Sequence, residues 1–230
     1  MMIENTIIHS DFHSTLRDYP NECIDLIFTD PPYVKEGIPL YEDIAKFGSS
    51  ILKPGGFLVV YASDYWLAET FPPMLKWLDY WYLYHHINIQ NASIWPRHIF
   101  AKAKSLFVFS RGKALPQKWH NNLPSVGIKS KSHRIDNWEQ TVDGAKFFIE
   151  NFCPQDGLVL DPMCGSGTTC MAAKQLNRRY IGIDIIGKQC ETARGRLCGD
   201  IISPDIGIDM DKMVDNAINL NSSDFEDLLQ

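Results

Sequence analysis

"GLVLDPMCGSGTTCMAAKQL", residues 157–176, carries three conformational signals in immediate succession. Its opening apolar run has the length and composition of a buried strand. Glycines 165 and 167 suit a tight turn, and "TTCMAAKQL" continues as a helix. "RRYIGIDI" (178–185) then reads as another strand. Two strands joined through a helix form the repeating unit of a parallel sheet.

The same alternation extends toward the N-terminus. "NTIIHSD" (5–11), "IDLIFTD" (24–30), "FLVVYAS" (57–63), "YWYLYHHINI" (80–89) and "SLFVFSRG" (105–112) read as strands. "LYEDIAKFGSSIL" (40–52) has helical spacing and is expected to stop at "KPGG". Residues 64–78 are expected to form a helix that Pro72 and Pro73 interrupt or kink, and "TVDGAKFFIENF" (141–152) is another helix. The predicted fold is α/β: a doubly wound, mostly parallel sheet with helices on both faces. A chain of 230 residues, 45% of them hydrophobic, suits one substantial core.

Ligands on such sheets bind beyond the carboxyl ends of the strands, and two ends stand out. At the first, Gly165 and Gly167 allow close backbone approach, and the helix start that follows favours a carboxylate or phosphate. The loop lacks a Gly-Lys-Ser/Thr ending, which argues against a triphosphate site. A merely tight turn would also use two glycines. Asp184 strengthens the ligand reading: it lies seventeen residues after Gly167, at the end of the next strand, where a carboxylate can accept from both hydroxyls of a ribose. The unit therefore reads as a nucleoside-cofactor site.

The second end is "DLIFTDPPY" (25–33). Proline has no N–H, so Pro31 and Pro32 release the carbonyls of Asp30 and Pro31 from ladder bonding beside the Asp30 carboxylate. Such an acceptor cluster suits a primary amine on a planar base, and Tyr33 offers a face for stacking. A plain Asp-Pro-Pro turn is the alternative reading.

Charge is unevenly distributed. Of the net −6, the stretch from Asp200 to Gln230 contributes −7 through eight acids and one lysine, leaving the first 199 residues at +1. Residues 80–135 hold no Asp or Glu, yet carry Arg97, Lys102, Lys104, Arg111, Lys113, Lys118, Lys129, Lys131 and Arg134 among aromatics such as Trp95 and Trp119. That pattern suits phosphate neutralisation and base stacking, with an ordinary solvated basic face as the alternative. Six scattered cysteines without a paired C-x-x-C indicate neither a zinc site nor a disulfide framework. With no basic leader and no apolar run of membrane-spanning length, the expectation is a cytoplasmic protein in a reducing compartment, without a metal or a membrane.

Four motifs in one order, "DPPY" (30–33), "LKPGG" (52–56), "DPMCGSGTT" (161–169) and "RRYIGID" (178–184), resemble the S-adenosylmethionine-dependent DNA amino-methyltransferases. The tetrapeptide comes first and the cofactor loop late, which is similar to that family's β group, a circular permutation of the usual methyltransferase sheet. The resemblance covers roughly residues 5–198. It implies that Asp30, Pro31, Pro32 and Tyr33 are catalytic, that Asp161, Pro162, Gly165, Gly167 and Thr168 hold the methionine part of the cofactor, and that Met163, as an apolar wall, and Cys164 also border the cofactor. It further implies that Asp184 holds the ribose, that Asp11 and Phe12 contact the adenine, and that Asp30 borders the cofactor.

Met163 stands where the family commonly has phenylalanine, and "SHRIDNWEQ" replaces a usual His-Pro-Thr-Glu-Lys-Pro-like segment. His133, Trp138 and Gln140 are thus candidates for the methionine carboxylate. The implied substrate is adenine in DNA, extruded from the duplex before methylation. Cytosine N4, an RNA amine and a non-catalytic binding module remain alternatives; protein glutamine methyltransferases place the cofactor loop first. The implied organisation is a catalytic domain (1–199) with a target-recognition insertion (113–137), followed by an acidic tail (200–230). A homodimer is compatible with it.

Overall fold

The structure, a computed structural model, describes residues 3–87, 93–95, 99–101, 103–120, 122 and 141–199. In chain order the elements are β1 (Thr6–His9), α1 (Phe12–Leu16), β2 (Ile24–Thr29), α2 (Ile38–Ile51), β3 (Leu52–Ala62), α3 (Leu67–Met74) and β4 (Asp79–Ile87). They continue with β5 (Ser93–Trp95), β6 (Ile99–Ala101), β7 (Ala103–Ser110), α4 (Val142–Phe152), β8 (Leu158–Asp161), α5 (Thr168–Gln175), β9 (Arg179–Asp184) and α6 (Gly187–Cys198).

Seven strands form one sheet in the order β1-β9-β8-β2-β3-β7-β4. Neighbours from β1 to β3 pair in parallel, whereas β7 is antiparallel to both β3 and β4. Only β7 is therefore reversed, and the mostly parallel α/β fold expected from the sequence is the fold observed. The short ladder of β5 with β6 was not anticipated, because two three-residue strands carry too little periodicity to be read.

Period-two alternation sends the side chains of each central strand to opposite faces. On β3, Phe57, Val59 and Tyr61 join a core that includes Phe148 and Phe152 of α4, Ala172 of α5 and Leu197 of α6. Leu58, Val60 and Ala62 face the other core, formed with Phe12 of α1, Tyr41 and Ile44 of α2 and Met74 of α3. Each fully buried large side chain contributes about 1.5–3 kcal/mol relative to exposure, so the two faces hold the sheet from both sides.

Two local expectations change. "KPGG" ends α2 but does not interrupt the chain: β3 starts at Leu52, and Gly55, at φ +79°, absorbs an irregularity in the pairing of β2 with β3. The helix expected at 64–78 shrinks to Leu67–Met74, preceded by a 3-10 turn at Asp64–Trp66, and ends just after Pro72 and Pro73. Pro72 and Pro73 have no amide proton to donate to the preceding turn, and beyond Met74 the chain goes on in turns, with the Lys76 and Trp77 amides donating to the Pro73 and Met74 carbonyls.

Candidate active site

Four parallel strands end in acids at one edge of the sheet. Asp11 follows β1, Asp184 closes β9, Asp161 closes β8 and Asp30 follows β2. These are neighbouring strands, about 4.8 Å apart, so the acids form a row along the carboxyl edge. The glycine turn and the proline turn thus sit side by side, one strand apart.

The glycine turn is tied down from several directions. The Cys164 amide donates to the Ile183 carbonyl at 2.8 Å, and the Gly167 amide to the Cys164 carbonyl at 2.8 Å. The buried Arg196 guanidinium on α6 donates to the Ser166 carbonyl and hydroxyl at 2.9 and 3.0 Å, and lies 3.4 Å from the Thr168 hydroxyl. Gly167 has φ +84°, and a Cβ there would come within 2.8 Å of Ala193 on α6. Gly165, at φ +49°, is different: a Cβ there would meet nothing within 4 Å, so its backbone borders open space. Pro162 and Cys164 are buried, and Met163 packs against the core beneath β8. The Cys164 thiol is held well above the ordinary thiol value by its hydrogen bond with Cys170 and by burial. It is an inert core group, and Cys164 serves the turn through its backbone.

Asp184 accepts from the Gly165 amide through one oxygen and from the Ile186 amide through the other, both at 2.8 Å. Each oxygen keeps a second lone pair for a ligand hydroxyl. Asp161, fully enclosed, is pushed up to about 7, chiefly by burial. Hydrogen bonds from the Thr169 hydroxyl and the Met163 amide oppose that rise, and the Asp184 charge adds to it. Asp11 caps α1 by accepting from the Ser14 amide at 3.0 Å. Its neighbour His13 bridges Asp11 and Asp43; burial opposes its protonation, but the two carboxylates prevail and raise its pKa. The Phe12 ring is buried against His13 and Phe47.

On the proline turn, the Tyr33 hydroxyl donates to Asp30 Oδ1. Burial, followed by the Asp30 charge, holds the Tyr33 phenol well above its ordinary value, so it is a neutral donor. Pro31 is buried and Pro32 exposed, and a Cβ at Gly37 would run into the Pro32 carbonyl oxygen. Tyr41 and Tyr61 lie within the electrostatic reach of Asp30, which helps raise both phenols.

The structure separates the basic residues. Lys104, near the start of the reversed strand β7, reaches Asp30 with Nζ at 3.7 Å from Oδ2. Arg111, just past the other end of that strand and roughly 24 Å away, pairs with Glu22 at 3.0 Å and donates to the Leu52 carbonyl. Lys113 accompanies Arg111 beside Gly55, and Lys118 pairs with Glu150 near the end of α4 at 2.9 Å. These three are not brought to the acid row. Arg97, Lys102, Lys129, Lys131, Arg134, His133, Trp138, Gln140 and the tail lie outside the described residues.

Sequence reading missed Arg196, Tyr41 and Tyr61, whose surroundings carry no local motif. It also passed over Ile185 and Ile186, which directly follow Asp184 and expose 70% and 56% of their surface. Two exposed isoleucines behind a strand-closing acid were the available signal. Among the described residues no cluster of His, Cys, Asp and Glu could hold a metal ion, and no helix is long and apolar enough to cross a membrane.

The glycine turn fits a nucleoside-bearing cofactor: it combines open space at Gly165, an acid with spare acceptor capacity in Asp184 and exposed apolar surface beside it. Comparison with known proteins agrees. The Escherichia coli (strain K12) protein YubD is 27% identical over 206 residues, covering 83% of this chain and 88% of its own. The crystal structure of an M1.HpyAVI complex with S-adenosylmethionine superposes with a TM-score of 0.66 at 22% identity, over 84% of this chain and 98% of that one. The PvuII cytosine-N4-specific DNA methyltransferase does so with a TM-score of 0.70 at 18% identity, over 91% and 89%. Residues 24–195 match the DNA methylase family, three-quarters of the chain with both turns inside the match, and the protein belongs to that family of S-adenosylmethionine-dependent DNA amino-methyltransferases.

Proposed function

We propose that the chain methylates the exocyclic 6-amino group of adenine in DNA, on a base turned out of the duplex. The observation that carries this reading is the row of strand-end acids, with the Asp30 acceptor one strand from the glycine turn. Adenine is favoured by the aspartate that opens "DPPY", which in the family accompanies adenine more often than cytosine.

S-adenosylmethionine, when bound, supplies an electrophilic methyl group on a sulfonium. Asp161, Gly165 and Thr168 would hold its methionine end, Asp184 its ribose, and Asp11 with Ile185 and Ile186 its adenine. The nitrogen of an aromatic amine is a poor nucleophile because its lone pair is delocalised into the ring. Asp30 and the Pro31 carbonyl accept its two N–H groups and favour a more tetrahedral nitrogen. Nothing among the described residues donates to the Pro31 carbonyl, so that acceptor is available. Tyr33 orients Asp30 through its hydroxyl while its ring lines the space beside it. Most of the acceleration then comes from positioning and matched charge. Extruding the base costs a few kcal/mol, offset by stacking and phosphate contacts. Residues 113–137 are proposed for sequence recognition on their basic composition, although Lys113 and Lys118 at their described start lie away from the acid row, and the acidic tail at 200–230 is proposed as a segment outside the catalytic domain (1–199).

The test is to incubate the protein with isotopically labelled cofactor and either DNA or RNA, digest, and identify the methylated nucleoside by mass spectrometry. N6-methyladenine in DNA is expected. N4-methylcytosine, or label confined to RNA, would overturn the substrate assignment. Sequencing the methylated DNA then defines the recognition site.

A further inference from the structure

Among the described residues, the basic side chain that pairs with the proposed amine acceptor came from the stretch read as a phosphate-binding surface, and its geometry points elsewhere. Lys104 is the second residue of β7, antiparallel to β3, so it leaves the sheet where β3 delivers Ala62 and Ser63 to the carboxyl edge. Its neighbour Ser105 pairs with Ala62, and its hydroxyl donates to Asp64 and lies 3.4 Å from His85 Nδ1, which pins the start of the strand. From there the Lys104 ammonium lies 3.7 Å from Asp30 Oδ2, 5.2 Å from the centre of the Tyr33 ring and 5.7 Å from that of Tyr61. Both partners of the ion pair are only 26% exposed.

An ammonium over an aromatic face, with its N–H groups toward the Asp30 carboxylate, has the attributes expected of the substrate amine. Taking the proposed function as its basis, we infer that Lys104 is a place-holder for the target amine. It sets its charge beside the Asp30 carboxylate and yields that position when the base enters. At 3.7 Å the ion pair lacks a direct charge-assisted hydrogen bond of 2.7–2.9 Å, so none has to break when the two groups part. The flexible four-carbon stem of lysine lets the charge withdraw along the protein surface. Withdrawal also removes a positive charge from the place where the nitrogen, once the methyl group leaves the sulfonium as a thioether forms, would be cationic until it passes a proton to the Asp30 carboxylate or to water. Lys104 is on this view a positioning residue, acting through Asp30.

The test uses the full chain and duplexes built on the mapped recognition site, with 2-aminopurine beside the target adenine to report its extrusion. A parallel duplex carries purine, which lacks the 6-amino group, at the target. Lys104→Met should extrude adenine about fivefold more readily than wild type, the scale of a partly exposed ion pair. The gain should shrink for purine, which cannot compete for Asp30, and the salt dependence of DNA affinity should not change. Weaker binding with a salt slope reduced by about one contact would mean that Lys104 neutralises a phosphate, overturning the inference. Unchanged extrusion in a variant that melts like wild type would also overturn it. Should Lys104→Met fail to fold, Lys104→Gln carries the same comparison. If wild type gives no signal on its own site, base extrusion itself fails, an outcome distinct from failure of the place-holder.

Discussion

The two turns that flank the site are built on opposite principles. The glycine turn is held by backbone amides, by Asp184 and by the buried Arg196, so its shape is set by the chain's own contacts. The proline turn has little to donate: its two prolines lack N–H groups, and Asp30 is oriented by the Tyr33 hydroxyl and paired with the Lys104 side chain. One side is a fixed cradle and the other an acceptor site with a replaceable partner. Substitutions on the first should act on cofactor affinity and stability, and those on the second on turnover.

The largest effect should come from the proline turn. Asp30→Ala is expected to lower kcat by about 10²- to 10³-fold while calorimetry finds S-adenosylmethionine affinity within about twofold of wild type. Parallel loss of both would erase the contrast between the turns. Gly37→Ala places a methyl group against the Pro32 carbonyl and should displace the acceptor turn, reducing kcat on the order of tenfold with cofactor affinity unchanged. On the cradle side, Gly167→Ala demands φ +84° of an alanine and drives its Cβ toward Ala193. A loss of about 2 kcal/mol in stability, seen in denaturant unfolding, is expected together with weaker cofactor binding.

The smallest effect concerns the pH response of the cradle. Asp161 has its folded pKa raised to about 7 by burial, against 3.8 ordinarily. A raised folded pKa means that its contribution to stability is fully present below about 3.8 and lost as pH rises through about 7. Asp161→Asn should therefore raise the melting temperature by a few degrees at pH 8 and by less at pH 5.5. An equal shift at both values would show that the carboxylate stays ionised throughout.

Legibility in the sequence followed the same division. Asp161, Gly165, Gly167 and Asp184 were readable because strand, turn and helix follow one another within 28 residues. Asp30 to Tyr33 were readable because two prolines after an apolar run are chemically unusual. Arg196 was not, since its partners Ser166 and Thr168 lie about thirty residues away and nothing local marks the contact. The "KPGG" segment marked the end of α2 correctly but concealed the start of β3, expected at 57 and found at Leu52, because proline and glycine break a helix but can also begin a bulged strand.

Amino-acid order alone was enough for the seven strands of the main sheet, for α2, α4 and α5 and for the two chemically distinct turns, because each of these rests on periodicity or on backbone properties of adjacent residues. It could not assign Lys104 to the acid row and Arg111 to the far end of the same strand. An alternating apolar pattern reads identically in either direction, so only pairing with β3 and β4 made β7 antiparallel and brought one of its two ends to Asp30.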